Sequence, residues 1–256
     1  MIDRLAAIAV HTFKEAVRDR ILVMFLVFAL VLMASSTVLS WLTVGSEIKI
    51  VTDLGLAALS IFGALMAVFI GITLVHKEVE KKTIYAVLAK PVRRWEFLVG
   101  KYLGLMLTLA VVTGLMAVFY LGMVWWKGGS APTHLVPAIV LTYLEMSIIT
   151  AVAIVFSSVA TPMLAAVFTV ALYVVGHMSS GLAGFLDYVS SPLARLVVNG
   201  LYYGLPHLEV FNVRSQVVYE LPVSAGYMLD ACAYAGSYTA GMLTLAVLLF
   251  RRKDLM

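Results

Sequence analysis

Long runs of apolar residues, separated by short charged stretches, organise the chain. Six stand out: Ile21–Leu42, Leu54–Val75, Phe97–Trp125, Leu135–Phe156, Pro162–Met178 and Gly226–Phe250. A helix needs about 20 apolar residues to cross a bilayer. None of the runs alternates as a membrane barrel strand of about ten residues does. The pattern predicts an all-α, polytopic membrane protein with six transmembrane helices. The fifth run is the shortest and can extend through Gly181 to Leu186.

The polar stretches predict three further features. In residues 1–20, Ile2, Leu5, Ile8 or Ala9, Phe13 and Val17 share one helical face, with Arg4, Lys14, Glu15 and Arg18 largely elsewhere. This is the pattern of an amphipathic interfacial helix on a membrane surface; a snorkelling basic flank is the plainer alternative. Between the second and third runs, Glu78–Ala89 reads as a short helix with Ile84, Val87 and Leu88 on one face. Pro91 biases Lys90 away from helical geometry and ends it. A second helix then leads from Arg93 into the third run. An apolar stripe held at a membrane surface suits docking into a partner's groove or resting on lipid. Residues 179–225 form a long segment holding Pro192, Pro206 and Pro222, with short helices expected over Asp187–Leu201 and His207–Tyr219. An unstructured loop of that length is uncommon, so outer-face or partly re-entrant helices capping the bundle are expected.

Composition agrees with a membrane protein. The 256 residues are 62% hydrophobic and 12% charged, with a mean hydropathy of +1.02. Soluble domains carry about 25% charged residues, and so apolar a chain cannot cover its own surface in water. Lys and Arg also set the orientation. With the N-terminus inside, 14 of the 18 fall on inner segments and four (Lys49, Lys127, Arg195 and Arg214) on outer ones. Both termini are therefore expected in the cytoplasm, with 179–225 outside. Trp41, Trp125, Trp126 and Tyr227 fall near predicted outer ends, as an aromatic belt places them. The basic residues flank spans, so the net charge of +4 does not point to nucleic acid. The first run is too long for a signal sequence and reads as an uncleaved span. Cys232 is the single cysteine, which excludes an intramolecular disulfide.

Few residues suggest chemistry. Glu145 lies mid-way along its apolar run. Its charge costs a few kcal/mol at the bilayer centre, so it is expected to face protein or water. It reads as a polar point in a transport pathway or gate, or as a protonated or hydrogen-bonded structural carboxyl joining two spans through Tyr or Ser. The five histidines are scattered, and no His/Cys cluster has metal-site spacing. No nucleophile–base set is recognisable. No G-x-x-x-x-G-K-[ST] phosphate loop occurs; Gly100-Lys101 is followed by Tyr102. The chain shows no ATP site of the phosphate-loop type, and nothing in its residues supports an intramembrane enzyme.

The stretch EVEKKTIYAVLAKPVRRWEFLVGKYLG, beginning at Glu78, resembles the signature of type-2 export permeases of ABC transporters. The matching positions are Glu78 or Glu80, Thr83, Leu88, Pro91, Val92, Arg93, Gly100 and Lys101, with Lys82 where the family often has Gly. Thr12–Leu22 and Leu205–Tyr219 are similar to the same family. The branch most resembled is labelled multicopper-enzyme maturation permeases, a label that does not denote copper transport. The resemblance implies a single permease domain over 1–256, in the inner or plasma membrane. It implies two permease copies, as homodimer or heterodimer, and two ABC-type ATPase subunits that hold the ATP and magnesium. Residues 76–97 become the cytoplasmic coupling region, in which Glu78, Glu80, Lys82, Thr83, Ile84, Val87, Leu88 and Pro91 meet the ATPase. The turn Ser157–Pro162 becomes a smaller second contact. A self-sufficient channel or secondary transporter using Glu145, and a non-transporting assembly or maturation factor, are the alternative functions.

Overall fold

The computed structural model describes residues 2–41, 47–80, 94–128, 132–178 and 204–252. The ordered elements are helices α1 (Ile2–Val17), α2 (Arg20–Ser40), α3 (Glu47–Glu80), α4 (Arg94–Gly128), α5 (Val136–Val159), α6 (Pro162–His177), α7 (Arg214–Val218) and α8 (Ala225–Arg252). Two 3-10 turns, Thr133–Leu135 and Leu208–Phe211, precede α5 and α7. No strand occurs among the described residues.

Five helices are long and apolar enough to cross a membrane: Arg20–Ser40, Glu47–Thr73, Trp95–Gly128, Thr133–Val159 and Ala225–Leu249. The chain is thus a polytopic helical membrane protein. The remaining apolar run forms α6, whose 16 residues measure about 24 Å at 1.5 Å per residue, short of a hydrocarbon core of about 30 Å.

Helices α3 and α5 make the centre. Helix α3 packs on α2, α4 and α5, and α5 packs on α8 and α6 as well. Small residues set these contacts, as close helix approach in lipid requires. A Cβ on Gly71 of α3 would lie 3.1 Å from Ala153 Cβ of α5, and one on Gly55 would strike the Tyr120 ring of α4 at 2.4 Å. Tyr120 in turn donates its hydroxyl to the Thr52 carbonyl (3.1 Å). Buried threonines and serines return their hydroxyls to the preceding turn, as Thr142 does to Ala138 O and Thr150 to Met146 O. They therefore cost little in an apolar interior.

The structure refines three expectations. Helix α1 forms over the expected residues and packs one face along the first turns of α4, where a Cβ on Gly104 would meet the Ala9 carbonyl at 2.5 Å and one on Gly100 would meet Ile8 at 2.8 Å. Thr12 and Ala16 are buried and Val17 is exposed, so the packed face is rotated from the predicted stripe. Lys101 of α4 is also buried, its Nζ 5.5 Å from the Phe97 ring centroid. Second, α3 continues unbroken to Glu80, so the start of the expected Glu78–Ala89 helix is continuous with a span. The helix expected to lead from Arg93 into the third run is present as the first turns of α4. Third, His207–Tyr219 is a 3-10 turn and a short helix. They part at Asn212, whose φ of −89° and ψ of 83° are not helical and whose side chain accepts from Arg214 N (3.4 Å). The helix expected over Asp187–Leu201 lies outside the described residues.

Residues 204–224 close one end of the bundle. Leu208, Phe211, Val213 and Val217 are buried there. Tyrosines of α8 hold the segment: Tyr227 donates to Val210 O, Tyr234 accepts from His207 N (2.8 Å), and Tyr238 donates to Gly204 O (3.2 Å). Trp41 and Trp126, near the ends of α2 and α4, are 74% and 84% exposed, as interfacial aromatics are.

Candidate functional site

Two sites are expected from the sequence. Of the coupling residues, Glu78 and Glu80 fall in the last turns of α3 as backbone. Lys82, Thr83, Ile84, Val87, Leu88 and Pro91 lie outside the described residues. The turn Ser157–Pro162 is present: α5 ends at Val159, Ala160 and Thr161 are extended, and Pro162 opens α6. Proline suits that first helical position, where no N–H partner is needed.

This tight turn makes α5 and α6 a hairpin, and the hairpin builds the second site. Glu145 and His177 are equidistant in sequence from Thr161. Antiparallel packing sets them level, with His177 Nε2 3.3 Å from Glu145 Oε1. The distance is that of an ion pair, but the direction is not that of a hydrogen bond, and Glu145 Oε1 is a buried oxygen without a hydrogen-bond partner. Glu145 is 3% exposed, so it lies inside the bundle, where the cost of a carboxylate in lipid would place it. The His177 ring packs at 4.6 Å on Tyr173, one turn earlier, and Nδ1 is 3.2 Å from the Tyr173 carbonyl. Gly176 lets this end of α6 reach the closing segment, since a Cβ there would lie 2.8 Å from Pro206 O.

Glu145, Tyr173 and His177 border a cavity of about 210 Å³ between α3, α5, α6 and the closing segment. Ser60, Thr142 and Asn212 add polar groups to its wall; Leu56, Ile61 and Phe211 add apolar ones. Arg214 lines it from the closing segment and bonds through Nε to Asp53 of α3. That pair is partly exposed, with side chains at 37% and 47%, so the charges of Arg214 and Asp53 offset one another near solvent. Glu145 is the deep ionisable group. Among the described residues no three His, Cys, Asp or Glu side chains gather as metal ligands.

The sequence points to Tyr or Ser partners for Glu145 and leaves His177 isolated. Only the equal spacing about Thr161 marks the pair. The Asp53–Arg214 pair, 161 positions apart in the chain, leaves no local signal.

The family profile described as ABC-2 family transporter protein matches residues 6–255. The chain belongs to the ABC-2 family. No curated protein matches it. Membership makes the helical bundle the membrane component of an ABC transporter, and members of the family usually lack an ATP site of their own and typically work with an ABC ATPase. The match runs from α1 to the end of α8, so the Glu145 cavity lies inside the ABC-2 domain.

Proposed function

We propose that this chain is the permease subunit of an ATP-driven exporter, coupled to hydrolysis by a separate ATPase. The observation that carries this reading is an ABC-2 match over 6–255 on a chain whose sequence holds no phosphate loop. ATP energy then enters through another protein. The reading has two permease copies, identical or related, two ATPase chains carrying ATP and magnesium, and both termini on the cytoplasmic side of the inner or plasma membrane. Glu78, Glu80 and Lys82 fix register on the ATPase, because interface charges give specificity more than affinity. Thr83, Ile84, Val87, Leu88 and Pro91 form the inserted face and its end. Closure of the ATPases tilts the spans and switches the bundle between two states, with Glu145 in the pathway or at its gate.

The test is the double change Val87→Asp, Leu88→Asp, assayed for membrane insertion, ATPase co-purification and ATP-dependent transport. Insertion is expected to persist while ATPase binding or coupling is lost. Normal binding and transport in this variant would refute the coupling assignment. The buried Glu145 cavity favours a second reading, a self-sufficient channel or secondary transporter. Transport by the purified chain in vesicles without any ATPase would establish that reading instead.

A further inference from the structure

The cavity beside Glu145 has the chemistry of a cation site. His177 Nδ1 lies 3.2 Å from the Tyr173 carbonyl, and a carbonyl only accepts. This assigns the proton of the neutral ring to Nδ1 and leaves a lone pair on Nε2. Nε2 faces Glu145 Oε1 at 3.3 Å, and Oε1 receives no hydrogen bond. The Glu145 carboxyl and the Nε2 lone pair thus meet beside a cavity that also carries the Ser60 and Thr142 hydroxyls. An ionised carboxyl is costly there without a cationic or donor partner, and a bound cation favours the ionised form.

We propose that this cavity binds a small primary ammonium ion, with Glu145 as its counter-ion. The three N–H groups of such an ion match the Glu145 carboxylate, His177 Nε2 and the Thr142 hydroxyl. The Tyr173 ring offers a π face of the kind that attracts cations. Leu56, Ile61 and Phe211 suit a short alkyl chain. A cavity of about 210 Å³ holds several water-sized groups, each needing about 10–15 Å³ of that measure, so a few carbons fit. A calcium-like cation takes 6–8 oxygen ligands, and the described residues assemble no cluster of three acidic or imidazole ligands. Arg214, paired with Asp53, does not compete for Glu145. The inference rests on Glu145 belonging to a functional cavity, and not on ATPase docking.

The experiment uses the purified full chain in lipid nanodiscs, without ATPase, titrated with butylammonium chloride against sodium chloride at equal ionic strength. The unfolding midpoint is expected to rise saturably with butylammonium and not with sodium. Glu145→Gln is expected to weaken the apparent affinity at least tenfold, and Thr142→Val, which keeps the volume and removes the hydroxyl, several-fold. Asp230→Asn, an exposed position on α8, is expected to leave it unchanged. If Glu145→Gln does not fold, Thr142→Val decides alone. Equal shifts with sodium and butylammonium, no shift at all, or a response unaltered in the cavity variants would each overturn the proposal. None of these outcomes bears on ATPase coupling, which the Val87/Leu88 variant tests separately.

Discussion

Helices α2 and α5 are both strongly apolar, yet they play opposite parts in the bundle. Of the most apolar 18 residues, 72% are buried within the chain in Thr133–Val159 and 22% in Arg20–Ser40. Apolarity therefore does not decide which helix is central. In water it would, because burial removes apolar surface from solvent. In lipid the tails are as apolar as the side chains, and close packing and hydrogen bonds decide. Helix α5 buries Ala138, Thr142, Ser147, Thr150, Ala151, Ala153, Ser157 and Ser158, which are small or able to bond internally. Helix α2 turns Val27, Phe28, Val31 and Val38 outward. The polar chemistry follows the same division: Glu145 lies on α5, and α2 contributes nothing to its cavity.

The sharpest way to break this comparison is to enlarge a small residue of α5. Ala153 is wholly buried against Gly71, so Ala153→Phe drives a ring into the α3 backbone. A loss of about 1–3 kcal/mol is expected from overpacking, measured by unfolding in mixed micelles. Val118 of α4 is 73% exposed, and Val118→Phe is expected to change stability by no more than about 0.5 kcal/mol, as surface substitutions do. Comparable losses at the two positions would remove the distinction between core and lipid-facing apolar residues.

A smaller loss is expected at the α1 contact, because a peripheral helix can move away. Gly104→Val places a methyl-bearing Cβ against the Ala9 carbonyl, whereas a Cβ on Gly114 meets nothing within 4 Å. The reporter is Thr12→Cys in a Cys232→Ser background. Thr12 is buried, so its cysteine should react slowly with maleimide, faster after Gly104→Val, and at an unchanged rate after Gly114→Val. Unchanged reactivity after Gly104→Val would show that α1 does not depend on this contact.

These contacts also mark how far the fold is legible in the sequence. The apolar runs locate the long helices, because insertion in lipid demands length and apolarity from each span separately. The cost of a mid-span carboxylate sends Glu145 inward. Neither argument says which helices are neighbours. The apolar stripe of α1 reads as lipid-facing because such a stripe has the same spacing whether acyl chains or α4 cover it, and Gly100 and Gly104 are too ordinary a spacing to identify its partner. The closing segment depends on hydroxyls of Tyr227, Tyr234 and Tyr238, and a belt tyrosine and a tyrosine holding a loop look alike in sequence. His177 is hidden for the same reason: its partner is across a hairpin, visible only once the turn at Thr161 is taken as tight.

At the cavity itself, the partly exposed pair Asp53–Arg214 sets a lower scale. Asp53→Asn is expected to cost less than about 1 kcal/mol, since solvent-screened pairs contribute little. A larger unfolding shift would mean that this pair holds the closing segment in place more firmly than the α8 tyrosines do.

The last expected loss is none at all. Glu145 sits on the most buried helix, yet its Oε1 receives no hydrogen bond, so the desolvation of that oxygen is poorly offset. Replacing a poorly satisfied buried charge by an apolar side chain of similar volume is often neutral or stabilising. Glu145→Leu is therefore expected to leave the unfolding midpoint unchanged or to raise it, while abolishing the response to butylammonium and lowering transport. This separates Glu145 from its neighbours: Ala153 is present for packing and Glu145 for the cavity. If Glu145→Leu instead unfolds as readily as Ala153→Phe, the carboxyl is a structural link between α5 and α6, and the centre of the bundle is uniform in purpose.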